Sequence, residues 1–153
     1  MKKGSIEFID SDKDTHFTGA LGQNAMEIES IGFPTSWQNL QINEVEIEGI
    51  SVQSDQNLEW DIFIFSKAGA DDTNLDDDTF VHHLNFSQTS GKQIAGANQY
   101  YYPCPVGLMA IPYKDIDNTR KIHIGLINRS VTSKTAGATG EIKIRLSLRP
   151  IFA

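Results

Sequence analysis

Apolar and polar residues alternate strictly in the stretch GEIKIRLSLRP (140–150). The apolar residues share one parity: Ile142, Ile144, Leu146 and Leu148. The polar residues share the other: Lys143, Arg145, Ser147 and Arg149. A period of two residues is typical of a β-strand with one face in water. We therefore predict a last strand over 141–149, ended by Pro150, which cannot donate to a ladder.

Other stretches show the same period with local variations. KIHIGLIN (121–128) alternates in the same way, and TFVHHLNF (79–86) is predicted as a further strand. LEWDIFIFS (58–66) is apolar on both parities, which is typical of a central strand covered on both faces. LQINEVEIEGISV (40–52) changes parity twice, which predicts bulges near Asn43 and Gly49.

These patterns indicate an all-β fold. No stretch keeps a helical period over three turns, and runs rich in Gly, Asp, Asn and Ser separate the predicted strands. We predict an antiparallel two-sheet β-sandwich or jelly roll of about eight strands.

The length of 153 residues suits one domain with its own core. Residues 1–24 hold few periodic apolar positions, so we predict an N-terminal arm or extended segment there, which could lie on a neighbour. The β-sandwich domain is predicted over 25–153. Cys104 is the only cysteine, so no internal disulfide can form, which favours folding in a reducing cytoplasm.

The formal net charge of −7 argues against non-specific binding to nucleic acid. The charge is unevenly spread, because residues 1–80 carry 17 acidic and 4 basic side chains and residues 81–153 carry 3 and 9. Two interpretations stay open. Strands from the two halves could interleave and neutralise one another, or the molecule could have opposite faces suited to docking on copies of itself.

The stretch ADDTNLDDD (70–78) concentrates carboxylates without a lysine or arginine. Its acidic residues are Asp71, Asp72, Asp76, Asp77 and Asp78. A calcium loop of EF-hand type needs Gly at its sixth position and Glu at its twelfth, where this stretch has Asp76 and His82. Aspartate also favours turns, so a solvated turn is one interpretation and a bound Ca²⁺ or Mg²⁺ is the other. Apart from Ca²⁺ here, no cofactor is expected.

The stretch QYYYPCPVGLMAIPY (99–113) is the candidate for recognition, because stiff aromatic and proline-rich segments lose little entropy on binding. Its candidate interface residues are Tyr100, Tyr101, Tyr102, Pro103, Pro105, Leu108, Met109 and Tyr113. The alternative is that the stretch folds over one end of the sandwich as a lid on the core.

Two charged stripes are the other interface candidates. The acidic stripe comprises Glu44, Glu46 and Glu48, and the basic stripe comprises Lys143, Arg145 and Arg149. Within one chain the stripes could pair across strands. Between chains they would set register and the choice of partner.

No enzymatic signature is present. His82 and His83 are adjacent on a predicted strand and point to opposite faces, so they cannot share a metal from that strand. Cys104 lies between two prolines, where neither a helix start nor an adjacent base would activate it. We therefore expect a protein that is not an enzyme. The start of the chain lacks the apolar region of a signal peptide, and no run is long enough to span a membrane.

Three stretches resemble the small β-sandwich proteins of tailed-phage virions, such as capsid decoration proteins: INEVEIEGISV, LEWDIFIFS and KIHIGLINRSVTSKTAGATGEIKIRLSLRP. The resemblance covers about residues 25–153 and transfers no functional residues. It implies a non-enzymatic structural protein of the virion, in the head or tail, that binds a protein lattice made of itself or other virion proteins after assembly in the host cytoplasm. The alternative from another class is a carbohydrate-binding β-sandwich module, assisted by Ca²⁺.

Overall fold

The computed structural model describes residues 2–67, 79–94, 96, 98–105, 107 and 109–152. The strands among these residues are β1 (Lys2–Lys3), β2 (Glu7–Asp10), β3 (Met26–Gly32), β4 (Glu44–Ser54), β5 (Trp60–Phe65), β6 (Phe80–Phe86), β7 (Lys92–Gln93), β8 (Tyr100–Tyr102), β9 (Ile111–Lys114), β10 (Lys121–Asn128) and β11 (Ile142–Phe152). Helical structure in this part of the chain is limited to three short 3-10 turns at Thr35–Trp37, Gln88–Ser90 and Gly137–Thr139.

The strands form two antiparallel sheets. Sheet I has the order β2, β11, β4, β8, and it is extended by β1 beside β11, β9 beside β4, and β7 beside β8. Sheet II has the order β3, β10, β5, β6. The chain thus crosses repeatedly from one sheet to the other, with the strand order of a jelly roll. The predicted all-β sandwich of jelly-roll type is confirmed.

The core lies between the two inner faces. The predicted inward residues of β11, Ile142, Ile144, Leu146 and Leu148, are all at most 1% exposed. Side chains of β5 and β10 close the core from sheet II, among them Trp60, Ile62, Ile64, Ile122, Ile124 and Leu126. Strand β5 lies between β10 and β6, which confirms the prediction of a central strand.

Strand β11 continues past Pro150 to Phe152, so the prediction that Pro150 ends it was wrong. Proline lacks a donor but keeps its carbonyl oxygen. That oxygen accepts a hydrogen bond from Gly4 N at 2.9 Å, and Pro150 stands opposite Val45 in the ladder. The proline therefore fits at a position where only an acceptor is needed.

The predicted bulge near Gly49 is confirmed, and the one near Asn43 is not. Ser147 is opposite Gly49 and Leu148 is opposite Ile47, so Glu48 is the extra residue on β4. This bulge lets residues on both sides of it turn their apolar side chains to the core. Strand β4 begins only at Glu44, so the parity change at Asn43 lies outside the ladder.

Residues 2–24, the described part of the predicted arm, contribute to the sandwich itself. Strand β2 pairs with residues 145–148 of β11, and Ile9, Phe17 and Leu21 are buried core residues. Ser11 Oγ also accepts a hydrogen bond from Ile144 N at 2.8 Å. The sandwich therefore begins before residue 25. A few buried apolar residues are enough to place residues 2–24 in it, although these residues follow no regular period.

None of the helical turns in the described part of the chain is long enough to cross a membrane.

Candidate functional site

The tyrosine- and proline-rich segment divides between core and surface. Tyr102 is fully buried, and its hydroxyl accepts a hydrogen bond from Leu58 N at 3.0 Å and donates one to Asn57 Oδ1 at 2.7 Å. Tyr113 is also buried and donates to Lys121 O at 2.7 Å. Burial raises the pKa of both phenols, so both stay neutral donors. These two tyrosines hold the loops of the sandwich in place and are closed to a partner.

The rest of the segment is divided in the same way. Met109 is buried, and its N–H donates to Glu48 O at 2.9 Å. Tyr101 is exposed, whereas Tyr100 and Pro103 are half-buried and Pro105 is exposed. Leu108 lies outside the described residues. The segment is thus partly a lid and partly a surface, and its accessible aromatic rings belong to Tyr100 and Tyr101.

The two charged stripes lie on neighbouring strands of sheet I and pair largely within the chain. Arg149 Nε donates to Glu48 Oε1 at 2.9 Å, and Lys3 Nζ donates to Glu46 Oε2 at 2.7 Å. The Lys3 ammonium lowers the pKa of the Glu46 carboxyl. Glu44 is half-buried and stands opposite Lys114 in the ladder. Most of these charges are therefore neutralised by their own fold.

A groove of about 300 Å³ opens on the outer face of sheet I. Phe8, which is 59% exposed, and Tyr101, which is 38% exposed, are its aromatic residues. Lys143 and Arg145 also line it. The guanidinium of Arg145 lies 5.5 Å from the centre of the Phe8 ring, close enough for a cation–π interaction. We call this feature the sheet I groove.

Arg145 is held in the groove by a two-point ion pair with Asp10. Its Nε donates to Asp10 Oδ1 at 2.7 Å, and Nη2 donates to Oδ2 at 3.1 Å. This contact lowers the pKa of the Asp10 carboxyl and keeps it ionised. Asp10 thus fixes the arginine over the ring of Phe8 and cancels much of its charge.

A second and larger opening lies at the end of the sandwich where the β4–β5, β6–β8 and β10–β11 connections meet. This end cleft has a volume of about 920 Å³, and its walls include Tyr100 and several polar side chains. Gln56 ties two of its loops together, because its Oε1 accepts from Thr135 N at 2.8 Å. Gln88 joins the β6–β8 connection to the β4–β5 connection, because its Nε2 donates to Asn57 O at 2.9 Å. Part of the polar lining is therefore structural.

The outer face of sheet II carries a cluster of rings. Phe63 stacks on His83 with 4.5 Å between ring centres, and Phe80 lies 6.0 Å from Phe63 and 6.4 Å from Phe65. Ile64 stands opposite His82 and Phe65 opposite Phe80, so Val81 is an extra residue. That bulge turns Phe80 to the outer face, where it is 42% exposed.

The structure brings together a serine, a histidine and an aspartate that the sequence analysis missed. Ser30 Oγ lies 2.6 Å from His123 Nδ1, and His123 Nε2 lies 3.4 Å from Asp117 Oδ2. The residues come from β3, β10 and the turn before β10, separated by up to 93 positions. The histidine ring is 1% exposed, and none of the larger openings between the described residues borders this chain of contacts. The contact between Ser30 and His123 joins β3 to β10.

The structure provides no metal centre from the histidines it describes. His16 Nδ1 accepts a hydrogen bond from Asp12 N at 2.9 Å, and burial together with His83 lowers the pKa of His82. No group of three His, Cys, Asp or Glu side chains among the described residues could hold a metal ion. The aspartates predicted as Ca²⁺ or Mg²⁺ ligands, Asp71, Asp72, Asp76, Asp77 and Asp78, lie outside the described residues.

Two solved structures that are similar to this chain come from viruses. A chain of Desmodium yellow mottle tymovirus is 9% identical with a TM-score of 0.33, and the match covers 99% of this chain and 89% of that one. A chain from the empty head of turnip yellow mosaic virus is 12% identical with a TM-score of 0.35, covering 98% and 84%. No protein-family model and no curated protein matches this chain.

These two viral chains do not extend the resemblance to tailed-phage proteins. Both come from tymoviruses, and neither comes from a tailed phage. At TM-scores this low, the likeness carries no argument about function. The jelly-roll topology rests instead on the strand pairing of this chain itself.

Proposed function

We propose that this chain is a non-enzymatic structural protein of a virion, which assembles with itself or with other virion proteins through the outer face of sheet I. Jelly rolls serve both viral capsid and lectin domains, so the fold alone does not decide between them. The observation that carries the proposal is the sheet I groove. It exposes the rings of Phe8 and Tyr101 in one groove together with Arg145, and such a combination is less common on a surface than a single exposed apolar residue.

The groove has the composition of a contact site. Aromatic residues and arginine are enriched at protein interfaces, and Tyr and Arg are frequent anchors. Arg145 is already held by Asp10, so it loses little side-chain freedom when a partner docks. The finer assignment to a decoration or head- or tail-associated protein of a phage rests on the sequence resemblance alone.

The proposal is tested by the mass of the purified protein in solution. We expect light scattering after size exclusion to give at least twice the monomer mass at high concentration. Replacing Phe8 and Tyr101 by serine should shift the protein towards monomer. Val131→Ser is the matched control, because Val131 is 84% exposed and lies at the end cleft instead. A wild-type chain that stays monomeric at every concentration, alone and with particles of its source, contradicts the proposal.

Carbohydrate binding is the second candidate, and the end cleft favours it. Tyr100 offers a ring in its wall, and Asn98 and Gln99 lie beside that ring with exposed side chains. Sugar hydroxyls suit such groups, since amides donate and accept while a ring packs on the sugar face. Binding to a panel of immobilised glycans that is lost in Tyr100→Ala and kept in Tyr101→Ala, on the other side of β8, would favour this function.

A further inference from the structure

A pair of adjoining openings lies at the end of the sandwich opposite the end cleft. Strand β4 connects the two ends, since Ile42 just before it lines both openings and Asp55 just after it lines the end cleft. One opening has a volume of about 270 Å³ and the other of about 390 Å³. Arg120 also lines both, so we call the two openings together the Arg120 pocket.

The two openings differ in their chemistry. The smaller one has an apolar lining, made by Phe33, Pro34, Trp37 and Ile42. The rings of Phe33 and Trp37 meet edge to face with 5.8 Å between their centres, so this wall is fixed before anything binds and loses little entropy on binding. The larger opening is polar, and its lining includes the amide side chains Gln41, Asn43 and Asn118.

Arg120 is held in place by its main chain and by its side chain. Its backbone N–H donates to Asp115 Oδ2 at 2.7 Å. In the side chain, Nη1 donates to Gln38 O at 2.8 Å and Nη2 donates to Leu40 O. A guanidinium has five N–H groups, so these contacts leave three for a ligand. The arginine is therefore positioned at the pocket without being saturated.

The charge of Arg120 is not paired, because this arginine forms an ion pair with none of the described carboxylates. The other arginines each form one: Arg129, Arg145 and Arg149. No acidic residue is among the described residues that line the pocket, and Asp117 of the same turn contacts His123 Nε2 at 3.4 Å instead. The pocket thus presents a positive charge in a protein whose net charge is −7.

We propose that the Arg120 pocket binds a small molecule in which a carboxylate is attached to an apolar group. The carboxylate accepts charge-assisted hydrogen bonds from Arg120, and the apolar group lies against Phe33 and Trp37. An apolar cavity of about 150 Å³ binds benzene, so the smaller opening of about 270 Å³ has room for one ring with a short chain. Apolar walls with a few convergent polar groups are typical of small-molecule sites. The pocket shares no lining residue with the sheet I groove, so this inference goes beyond the proposed function and does not rest on it.

The probe for this site is 3-phenylpropionate, added to the full-length chain. Binding should shift the indole N–H resonance of Trp37, which lines the pocket, and leave that of Trp60 in the core unchanged. The uncharged amide, 3-phenylpropionamide, should bind more weakly by roughly tenfold or more, because it cannot form charge-assisted hydrogen bonds. Acetate lacks the apolar group and should be weaker by a similar factor, since burial of that group is lost.

Two glycine variants test the pocket without changing the arginine. Gly32 lines the smaller opening, and a Cβ built on it meets no atom within 4 Å. Gly32→Phe should therefore fill the opening, keep the fold and weaken binding of the probe by roughly tenfold or more. Gly22→Phe is the matched control, because its Cβ also meets no atom within 4 Å and it is not a lining residue of the pocket. It should bind the probe like the wild type.

Arg120→Gln should weaken binding of the acid to the level of the amide. Because Arg120 also holds the β3–β4 connection, Gly32→Phe decides the matter if the Arg120 variant does not fold. The inference is wrong if the amide binds as tightly as the acid, if Gly32→Phe binds like the wild type, or if millimolar probe leaves the Trp37 resonance in place. A chain that binds the probe but stays monomeric would contradict the proposed function and leave this site standing.

Discussion

At the scale of single residues, the Asp61 carboxylate on the outer face of sheet II has three side-chain partners. It is 6% exposed. Its Oδ2 accepts from Arg129 Nε, and its Oδ1 accepts from Asn85 Nδ2 at 2.7 Å and lies 3.1 Å from His83 Nε2. Burial by itself would raise the pKa of this carboxyl, but the hydrogen bonds outweigh burial and lower it.

Replacing Asp61 by asparagine should therefore destabilise the fold at neutral pH by about 2 kcal/mol, the range of hydrogen bonds to charged groups. Because the pKa is lower in the folded state, the ionised carboxyl stabilises the fold above the unfolded value. That stabilisation is lost as the pH falls through the folded value. We expect the difference between variant and wild type in urea unfolding to shrink below pH 3.8, the ordinary aspartate value.

Asp14→Asn is the control for this prediction. The Asp14 side chain is 73% exposed and has one ion pair with Lys13 at 3.3 Å, which solvent screens, so its loss should change the stability little. An Asp61 variant that unfolds at the same urea concentration as the Asp14 variant would contradict the role given to the buried carboxylate.

Gly125 shows how one missing side chain allows two strands to pack. A Cβ at this position would lie 2.7 Å from Met26 Sδ and 3.3 Å from Phe65 Cε2. Gly125→Ala should therefore cost about 1–3 kcal/mol through overpacking on the outer face of sheet II. Gly32→Ala is the matched control, since no atom lies within 4 Å of its Cβ. Equal melting temperatures of the two variants would show that Met26 moves aside freely.

At the scale of elements, the pairing of β2 with β11 decides what the start of the chain does. Deleting residues 2–10 should destabilise the sandwich, because it removes a strand from the ladder and the buried side chain of Ile9. Truncating Ile9 alone to alanine should cost about 2–4 kcal/mol. Urea unfolding followed by fluorescence measures both changes.

A shorter deletion provides the comparison for this prediction. Removing residues 2–5 takes away β1 and the ion pair of Lys3 but leaves the β2 ladder intact, so it should cost much less. A chain lacking residues 2–10 that unfolds like the wild type would mean that the segment is an arm after all, and that β11 keeps its place without it.

At the scale of the whole molecule, the two charged halves of the sequence interleave. Strand β11 of the basic half lies between β2 and β4 of the acidic half, which brings Arg145 to Asp10 and Arg149 to Glu48. The first of the two interpretations of the charge pattern therefore holds for these strands.

The acidic stretch of residues 70–78 makes a prediction about ions for the whole chain. Because its spacing lacks the EF-hand glycine and glutamate, we expect millimolar Ca²⁺ and a chelator to leave the melting temperature unchanged. If the chain has a Ca²⁺ site, a Ca²⁺ concentration a hundred times its dissociation constant would add about 2.7 kcal/mol to the free energy of unfolding. The melting temperature would then rise by several degrees. Such a rise, absent from the variant with asparagine in place of the five aspartates, would establish a Ca²⁺ site.

The sequence by itself determined the all-β class, the central position of β5 and the inward face of β11. Each of these follows from the period of apolar residues over a few positions, which is a local property of the chain. It also predicted the bulge at Gly49, because a change of parity is visible wherever a strand keeps one face buried.

Only the tertiary structure decided which distant residues meet. The contact of Ser30 with His123 and the groove shared by Phe8, Tyr101 and Lys143 join strands that are far apart in sequence. Within the tyrosine segment, the structure buried Tyr102 and left Tyr101 exposed. The physical reason is that pairing order and the covering of each face depend on long-range contacts, whereas the pattern of one strand specifies only that it has two different faces.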